Sequence, residues 1–225
     1  MSEAPVIAVD GPSGVGKGMI TRWLAQRLNW HRLDSGALYR VVALAAEKRG
    51  IDSANASAVA AIAPQIDIRF EGGGEDDEAI LVDGEDWKAQ VRAETTGALA
   101  SRIAALPEVR AALLKRQREF RRLPGLVADG RDMGTVVFPD ASLKIFLDAS
   151  VEERARRRAS QLSKAGLTVN IPRLCDEIRA RDDRDRNRTV APLRPATDAE
   201  LVDTTGLPPD VVQSKVGAFL HRLGL

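Results

Sequence analysis

The sequence predicts an α/β protein built on a parallel sheet, and two observations near its start support that prediction. Residues 6–10 form a short apolar run rich in β-branched side chains, which is typical of a buried parallel strand. A glycine-rich turn follows this run. Beyond the turn, apolar side chains recur at helical spacing, at Ile20, Trp23, Leu24 and Leu28. A strand, a glycine loop and a helix in this order are a usual opening of an α/β sheet.

Further strands and helices follow along the chain and support the same fold class. Short apolar runs predict strands at residues 31–33, 126–129, 143–147 and 201–202. Helical periodicity and end signals predict helices at residues 38–48, 107–122, 151–164, 174–181 and 211–223. The run of arginines and aspartates at residues 181–188 is expected to follow the short helix 174–181.

The middle of the chain interrupts the α/β pattern. Ile66, Ile68 and Phe70 alternate with polar residues, which predicts a half-exposed strand, and residues 79–82 predict a second strand. Between them, the acidic and glycine-rich residues 72–78 are expected to form the mobile tip of a hairpin. We therefore predict an antiparallel hairpin inserted in the α/β frame.

Composition sets the broad class of protein. With 225 residues, of which 44% are hydrophobic, the chain can form one sizeable domain. Its 33 basic and 32 acidic residues nearly cancel and aromatic residues make up 4%, so we expect neither nucleic acid nor an anionic membrane as partner. The single cysteine, Cys175, excludes an internal disulfide, and we expect a buried thiol. Because the sequence has no signal-peptide pattern and no apolar run of about 20 residues, we expect the protein to be located in the cytoplasm.

Residues 11–18, Gly-Pro-Ser-Gly-Val-Gly-Lys-Gly, match the start of the phosphate-binding pattern G-x-x-x-x-G-K. Glycines let the backbone turn sharply so that several N–H groups face one anion, and the following helix adds a favourable dipole. Lys17 adds a positive charge for the β- and γ-phosphates. The pattern ordinarily continues with a hydroxyl that ligates Mg²⁺, whereas this chain has Gly18. We expect the metal to be held mainly by ATP oxygens and water, with Asp34 as an outer partner.

Polar side chains gather where three predicted strands end, and ligands of open α/β sheets bind at that edge. The phosphate loop ends the first strand, residues 34–36 follow the second, and residues 129–132 follow a third. Arginines are concentrated in residues 154–158 and 181–188, and either run alone is most simply a salt-bridged surface. Phosphoryl transfer, however, needs several cations around the transferred group. Because no carboxylate stands out as a general base, an already ionised phosphate acceptor is favoured over a hydroxyl.

These segments resemble the bacterial cytidylate kinases, a family of nucleoside monophosphate kinases. The resemblance rests on five motifs in the family's order: IAVDGPSGVGKG (7–18), LDSGALYRV (33–41), VADGRDMGTVVFPDA (127–141), LKIFLDAS (143–150) and RDDRDRNR (181–188). Glycine after the P-loop lysine is also a family feature, so Gly18 agrees with the resemblance. Residues 51–90 contain little of the family's signature.

The resemblance implies a P-loop NTPase core similar to that of adenylate kinase, with a five-stranded parallel sheet. It implies a single kinase domain over residues 1–225, with an inserted CMP-binding subdomain at residues 65–125 and a short lid at residues 150–165. The implied reaction is phosphoryl transfer from ATP, with Mg²⁺, to CMP or dCMP, giving ADP and CDP or dCDP. A monomer is implied as well.

Functional residues follow from the family wherever its motifs match this chain. The ATP site would comprise the loop and two lid arginines, namely Gly11, Pro12, Ser13, Gly14, Val15, Gly16, Lys17, Gly18, Met19, Arg154 and Arg158. The CMP site would comprise Ser13, Ser35, Tyr39, Arg40, Ser101, Arg110, Arg131, Asp132, Asp185 and Arg188. Within it, Arg40, Arg131 and Arg188 would bind phosphate, Ser101, Arg110 and Asp132 would bind the base, and Asp185 would bind the sugar. Catalysis would depend on Lys17, Arg131, Arg157 and Arg188.

The base assignment makes chemical sense, because a carboxylate such as Asp132 can accept a hydrogen bond from the cytosine amino group. Uracil presents a carbonyl there, and such a pairing discriminates by about 1–3 kcal/mol. On position alone, Ser101 and Arg110 would be taken for helix surface. Two other functions stay open from the P-loop alone: a kinase for a sugar acid or shikimate, and a nucleotide-binding switch protein. Residues 181–188 argue against the first, and Gly18 argues against the second.

Overall fold

The computed structural model describes residues 3–71, 79–164, 166–222 and 224, and it confirms the predicted α/β fold. Within these residues the strands are β1 (Val6–Asp10), β2 (His31–Asp34), β3 (Ile68–Glu71), β4 (Ala79–Val82), β5 (Glu85–Asp86), β6 (Leu126–Asp129), β7 (Leu143–Asp148) and β8 (Glu200–Asp203). The α-helices are α1 (Lys17–Leu28), α2 (Ser35–Lys48), α3 (Ala56–Ala60), α4 (Lys88–Arg92), α5 (Glu94–Ile103), α6 (Pro107–Arg118), α7 (Val151–Lys164), α8 (Ile171–Arg186) and α9 (Pro209–Arg222).

The main sheet has five parallel strands in the order β2-β6-β1-β7-β8, as predicted. Because the strands are parallel, their carboxyl ends meet at one edge. Every strand of this sheet ends in an aspartate, at Asp10, Asp34, Asp129, Asp148 and Asp203. The phosphate loop begins at this edge of the sheet, which is therefore rich in carboxylates. Their negative charges constrain where cations can lie.

Side chains of the central strand β1 alternate between two cores. Val6 and Ala8 belong to the core formed with α2 and the middle segment of the chain, whereas Ile7 and Val9 belong to the core formed with α1 and α9. All four side chains are fully buried, and burying a side chain such as valine contributes roughly 1.5–3 kcal/mol. The continuous apolar run in the sequence is thus explained by helices on both faces.

The predicted hairpin is confirmed as part of a three-stranded antiparallel sheet in the order β3-β4-β5. Its predicted tip, residues 72–78, lies outside the described residues. The ring of Phe70 on β3 packs against Phe120 just beyond α6, with centroids 5.8 Å apart. The two-residue strand β5 and the helices α3, α4 and α5 were not predicted, because they are short or lack clear apolar periodicity.

Several predicted helix boundaries were wrong: the helix predicted at residues 38–48 begins at Ser35, and two other helices differ further. The helix predicted at residues 107–122 ends at Arg118, and Arg121 beyond it donates to the carbonyl oxygen of Ala4 at 2.6 Å. The helix predicted at residues 174–181 instead covers Ile171–Arg186, so most of the arginine and aspartate run is helical. Within it Asp182 and Asp185 are buried on the inner face, because both pair with arginines of other segments.

Cys175 is buried in α8, as predicted. Among the described residues, no helix combines the length and the apolar character needed to cross a membrane.

Candidate active site

The predicted phosphate loop lies between β1 and α1 and turns tightly at its first glycine. Gly11 has a φ of 146°, and a Cβ there would lie 2.1 Å from the main-chain oxygen of Leu147, so no larger residue fits. α1 begins at Lys17, directly after Gly16. Within the described part of the chain, no side chain caps α1 and its first turn contains no acidic residue. Its first N–H groups and its dipole are therefore available to an anion.

Lys17 is buried in this loop and donates a hydrogen bond to the carbonyl oxygen of Pro12 at 2.7 Å. The pKa of Lys17 is lowered to about 7, first by burial and then by the charge of Arg131, while Asp129 opposes both. An anion beside Lys17 would favour its charged form. The loop thus holds a buried cation that would gain from contact with phosphate.

Two predicted phosphate-binding arginines meet the predicted sugar-binding residue where the segment after β6 approaches α8. Asp185 on α8 accepts a hydrogen bond from Nε of Arg131 at 3.1 Å and another from the guanidinium of Arg188. Burial raises the pKa of Asp185, but the two arginines outweigh burial, so the pKa lies below its usual value. One carboxylate thereby fixes two guanidinium groups near the carboxyl edge of the sheet.

The third predicted phosphate-binding arginine, Arg40 on α2, contacts the middle segment of the chain. Its NH1 group donates to the carbonyl oxygens of Val91 and Ala93, at 2.9 and 3.1 Å. Gly97 leaves room for this arrangement, because a Cβ there would lie 2.9 Å from NH2 of Arg40. In this conformation the junction of α4 and α5 is docked against α2, the helix that also contains the predicted CMP-binding residues Ser35 and Tyr39.

The predicted base-binding residues are buried, not surface residues of a helix. Arg110 on α6 and Asp132 after β6 form an ion pair, and both side chains are more than nine-tenths buried. Burial raises the pKa of Asp132 above its usual value, although Arg110 and Arg188 lower it. Ser101 Oγ on α5 and Arg110 Nε are buried without a hydrogen-bond partner among the described residues. Such unpaired atoms leave hydrogen-bonding capacity for a polar ligand.

Tyr39 and Ser35 lie near the same part of the site. The guanidinium carbon of Arg110 is 5.9 Å from the ring centre of Tyr39, and burial raises the pKa of Tyr39 to about 12. Ser35 Oγ accepts a hydrogen bond from Nε2 of Gln117 at 2.7 Å. Because Ser35 accepts in this contact, its hydroxyl hydrogen stays available to a ligand. Gln117 was not predicted, and only its contact with Ser35 reveals it.

Arg154 occupies a different position from the one expected of a phosphate-binding lid residue. Its guanidinium is almost completely buried and donates to the carbonyl oxygens of Ala149 and Ser13, at 3.0 and 3.2 Å. It also forms a two-fold contact with the carboxylate of Asp182 on α8. In this conformation Arg154 ties the phosphate loop to α7 and α8, and a direct contact with ATP stays a prediction.

The other two lid arginines are less buried. Arg157 donates to the hydroxyl of Thr204 at 3.1 Å and pairs with Glu153 one turn earlier on α7. Arg158 donates to Oε1 of Gln161 on the same helix.

In the phosphate loop, the side chains of Val15 and Met19 pack in the core with α1, so a ligand would meet mainly their backbone.

Three residues outside the predicted set lie close enough to the loop to influence the pKa of Lys17: Asp10, Asp129 and Arg181. Burial raises the pKa of Asp129, with Lys17 opposing it. The pKa of Arg181 is lowered to about 10 by burial and by Arg131, and its Nε has no partner among the described residues. All three occur in segments that the sequence singled out, but spacing alone did not assign them a role.

A metal held by protein side chains alone needs several ligands that converge on one point. Among the described residues, no group of three or more His, Cys, Asp and Glu side chains is arranged to hold an ion.

A family model and curated relatives match this chain over nearly its full length. The family model described as cytidylate kinase matches residues 7–221. The cytidylate kinase of Photobacterium profundum is 54% identical over 98% of this chain and 96% of that protein. The cytidylate kinase of Shigella sonnei is 56% identical over 97% of this chain and 96% of that protein. A solved shikimate kinase from Bacteroides thetaiotaomicron aligns over 98% of this chain and 99% of that chain, but with 14% identity and a TM-score of 0.45 it is too distant to indicate function.

Proposed function

This chain belongs to the cytidylate kinase family, and on that premise we propose that it transfers the terminal phosphoryl group of ATP to CMP or dCMP. The bond between the γ-phosphorus and the bridging oxygen of ATP breaks, and a bond to a phosphate oxygen of CMP forms. The attacking phosphate oxygen of CMP is already ionised near neutral pH, and the bridging oxygen leaves as an ionised phosphate oxygen of ADP, so no side chain has to remove or supply a proton. The products are ADP and CDP or dCDP.

The observation that most strongly supports a cytidine acceptor is the buried pair of Arg110 and Asp132. The carboxylate of Asp132 can accept a hydrogen bond from the N4 amino group of cytosine. Arg110 can donate to the ring acceptors of the base, and the unpaired hydroxyl of Ser101 offers a further polar contact. A uracil in the same place would set its O4 carbonyl against the carboxylate, which disfavours UMP.

The other predicted residues are assigned to the two phosphate groups and the sugar. Lys17 would contact the β- and γ-phosphates of ATP at the start of α1. Arg40, Arg131 and Arg188 would bind the CMP phosphate, and Asp185 would accept a hydrogen bond from the sugar. Phosphoryl transfer depends mainly on positioning and on neutralising charge, and this set of cations suits both requirements.

We infer that Mg²⁺ accompanies ATP and is held mainly by phosphate oxygens and water, since Gly18 has no hydroxyl. Asp34 is a weaker outer partner than the sequence suggested, because its oxygens already accept from the N–H of Ala37 and from Arg92. Asp129 is the better candidate, since its Oδ2 lies 3.8 Å from where a Cβ of Gly18 would be. Burial raises its pKa, and a nearby cation would stabilise the charged form.

We also infer that residues 65–125 and the lid at residues 150–165 close over the bound nucleotides, because transfer between two anions requires that water be excluded. Closure would begin from the contact of Arg40 with Val91 and Ala93. The protein would act as a monomer in the cytoplasm.

Rates of ADP release with ATP and Mg²⁺ test the proposed function. The acceptors are CMP, dCMP, UMP, AMP and GMP, with shikimate and gluconate as acceptors for other P-loop kinases. We expect CMP and dCMP to be phosphorylated with a clear preference over the other nucleotides, and the two acids not at all. Equal rates with all nucleotides, or a preference for either acid, would contradict the proposal.

A further inference from the structure

Asp10 is a buried carboxylate that takes no part in the proposed transfer reaction. It is the last residue of β1, directly before the phosphate loop, and its exposed fraction is 5%. Its two carboxylate oxygens accept hydrogen bonds from the N–H groups of Met133 and Gly134, each at 2.8 Å. These are the first two residues of a short helical turn, Met133–Val137, which directly follows Asp132.

This contact replaces one that Asp132 would ordinarily make itself. Asp132 is the N-cap residue of the turn, and an aspartate at that position usually accepts a hydrogen bond from the second or third N–H group that follows, here that of Gly134 or Thr135. Among the described residues, the Asp132 side chain makes no such bond and pairs instead with Arg110. Asp10 thus binds the free N–H groups from the neighbouring strand and leaves the Asp132 carboxylate available to a ligand.

The surrounding contacts keep this turn close to β1. The N–H of Gly130 donates to the carbonyl oxygen of Val9 at 3.0 Å, so the chain leaves β6 against the end of β1. Gly134 packs against the side chain of Lys144, and a Cβ at Gly134 would lie 3.1 Å from its Cδ. The carboxylate of Asp10 therefore lies next to donors that have little room to move away.

We propose that Asp10 is a positioning residue for base selection, which holds the turn so that Asp132 faces Arg110 and the cytosine. The inference rests on the proposed function, because it assumes that Asp132 binds the base. Without the Asp10 carboxylate, the N–H groups of Met133 and Gly134 would lose their partner, and buried donors need one. Asp132 is the natural substitute, and a rotation to cap its own turn would remove it from the base.

The electrostatics of Asp10 are consistent with a functional role. Burial raises the pKa of Asp10 to about 7, while the N–H groups of Gly134 and Met133 lower it, and the charges of Asp132 and Lys17 act in opposite directions. Carboxylates with strongly perturbed pKa values cluster at functional sites.

The test compares CMP with UMP through the ratio of their kcat/KM values. We expect Asp10→Asn to reduce this ratio about 5- to 10-fold, because the amide NH2 group replaces one of the two oxygens and would face an N–H donor, so that Asp132 is drawn towards the turn. Asp182→Asn is the matched control, since it also removes a buried carboxylate but lies on α8, and its ratio should equal that of the wild type. A loss of folded protein lowers both rates equally, so the ratio is insensitive to a merely structural effect.

A double substitution separates this inference from the proposed function. In an Asp132→Asn background, Asp10→Asn should cause no further loss of the ratio. A wild-type protein without a preference for CMP would overturn the proposed function itself. A preference that is lost in Asp132→Asn but intact in Asp10→Asn would overturn the role of Asp10 alone.

If Asp10→Asn does not fold, amide hydrogen exchange of the wild-type protein decides. The amides of Met133 and Gly134 should exchange as slowly as those of β1, because both are bonded to a buried acceptor. Exchange at the rate of exposed amides would overturn the capping role.

Discussion

The phosphate loop and the pocket around Asp132 and Asp185 hold their cations in different ways. In the phosphate loop, Lys17 is held by the carbonyl oxygen of Pro12, which orients the amine without pairing it with a carboxylate. On the acceptor side, Arg110 is paired with Asp132, and Arg131 and Arg188 share Asp185. Lys17 is therefore preset for an anion, whereas Arg110, Arg131 and Arg188 are balanced by carboxylates until a ligand enters.

This difference suits the proposed function, in which the loop binds a phosphate chain and the acceptor side selects a base. A phosphate chain needs only charge and N–H groups, and the loop with α1 offers both. A nucleoside monophosphate presents a base, a sugar and a phosphate, and the acceptor side offers carboxylates as well as cations to bind them. Selection by carboxylates requires that they be held in place, which is the role proposed for Asp10.

Removal of the donor cation should have the largest effect. We expect Lys17→Ala to lower kcat by about 10²- to 10³-fold, because the site loses the charge nearest the β- and γ-phosphates. Rates of ADP formation measure this loss. Lys115→Ala, which removes an exposed lysine from α6, is the control and should keep its activity. Near-normal turnover of Lys17→Ala would remove Lys17 from the mechanism.

Removal of the Asp185 carboxylate, which Arg131 and Arg188 share, should have a smaller effect that falls mainly on CMP and not on ATP. We expect Asp185→Asn to raise the KM for CMP about tenfold, since Arg131 and Arg188 lose their common partner and the sugar loses an acceptor. The KM for ATP should change less than about two-fold. Asp183→Asn, on the exposed face of the same helix, is the control. Equal increases in both KM values would contradict the separation of the two sides.

The lowered pKa of Lys17 predicts the smallest effect, which is the uptake of part of a proton when ATP binds. With a pKa lowered to about 7, Lys17 is mostly neutral at pH 8 in the free protein. Phosphate beside it raises the pKa again, so binding at pH 8 should take up a fraction of one proton. Calorimetry in two buffers of different ionisation enthalpy measures this uptake. CMP should cause less uptake than ATP, and the same uptake for both ligands would contradict the account.

The sequence predicted the regular parts of the fold because their patterns are local. The bounds of β1, β4, β6 and α7 agree with the structure, since each is an apolar run or a periodic segment with clear ends. The helix α3 is a five-residue segment, ASAVA, in which apolar spacing gives no signal. The boundary of α8 was missed because a run of alternating charges has no apolar period.

The site also contains residues that a local pattern predicts and residues that no local pattern predicts. The phosphate loop was predicted because its residues are contiguous. Ser101 and Arg110 would have been taken for helix surface without the family resemblance, since their burial arises from contacts with distant segments. Arg110 meets Asp132 from 22 residues away, and Asp10 meets Met133 across 123. No local pattern records such contacts, so the role proposed for Asp10 is argued from the structure alone.

The most direct test of the central claim, that the acceptor side selects the base through Asp132, is the ratio of kcat/KM for CMP to that for UMP. The account predicts that Asp132→Asn reduces this ratio about tenfold, because an amide can meet either base. A ratio unchanged from that of the wild type would show that the base is selected elsewhere.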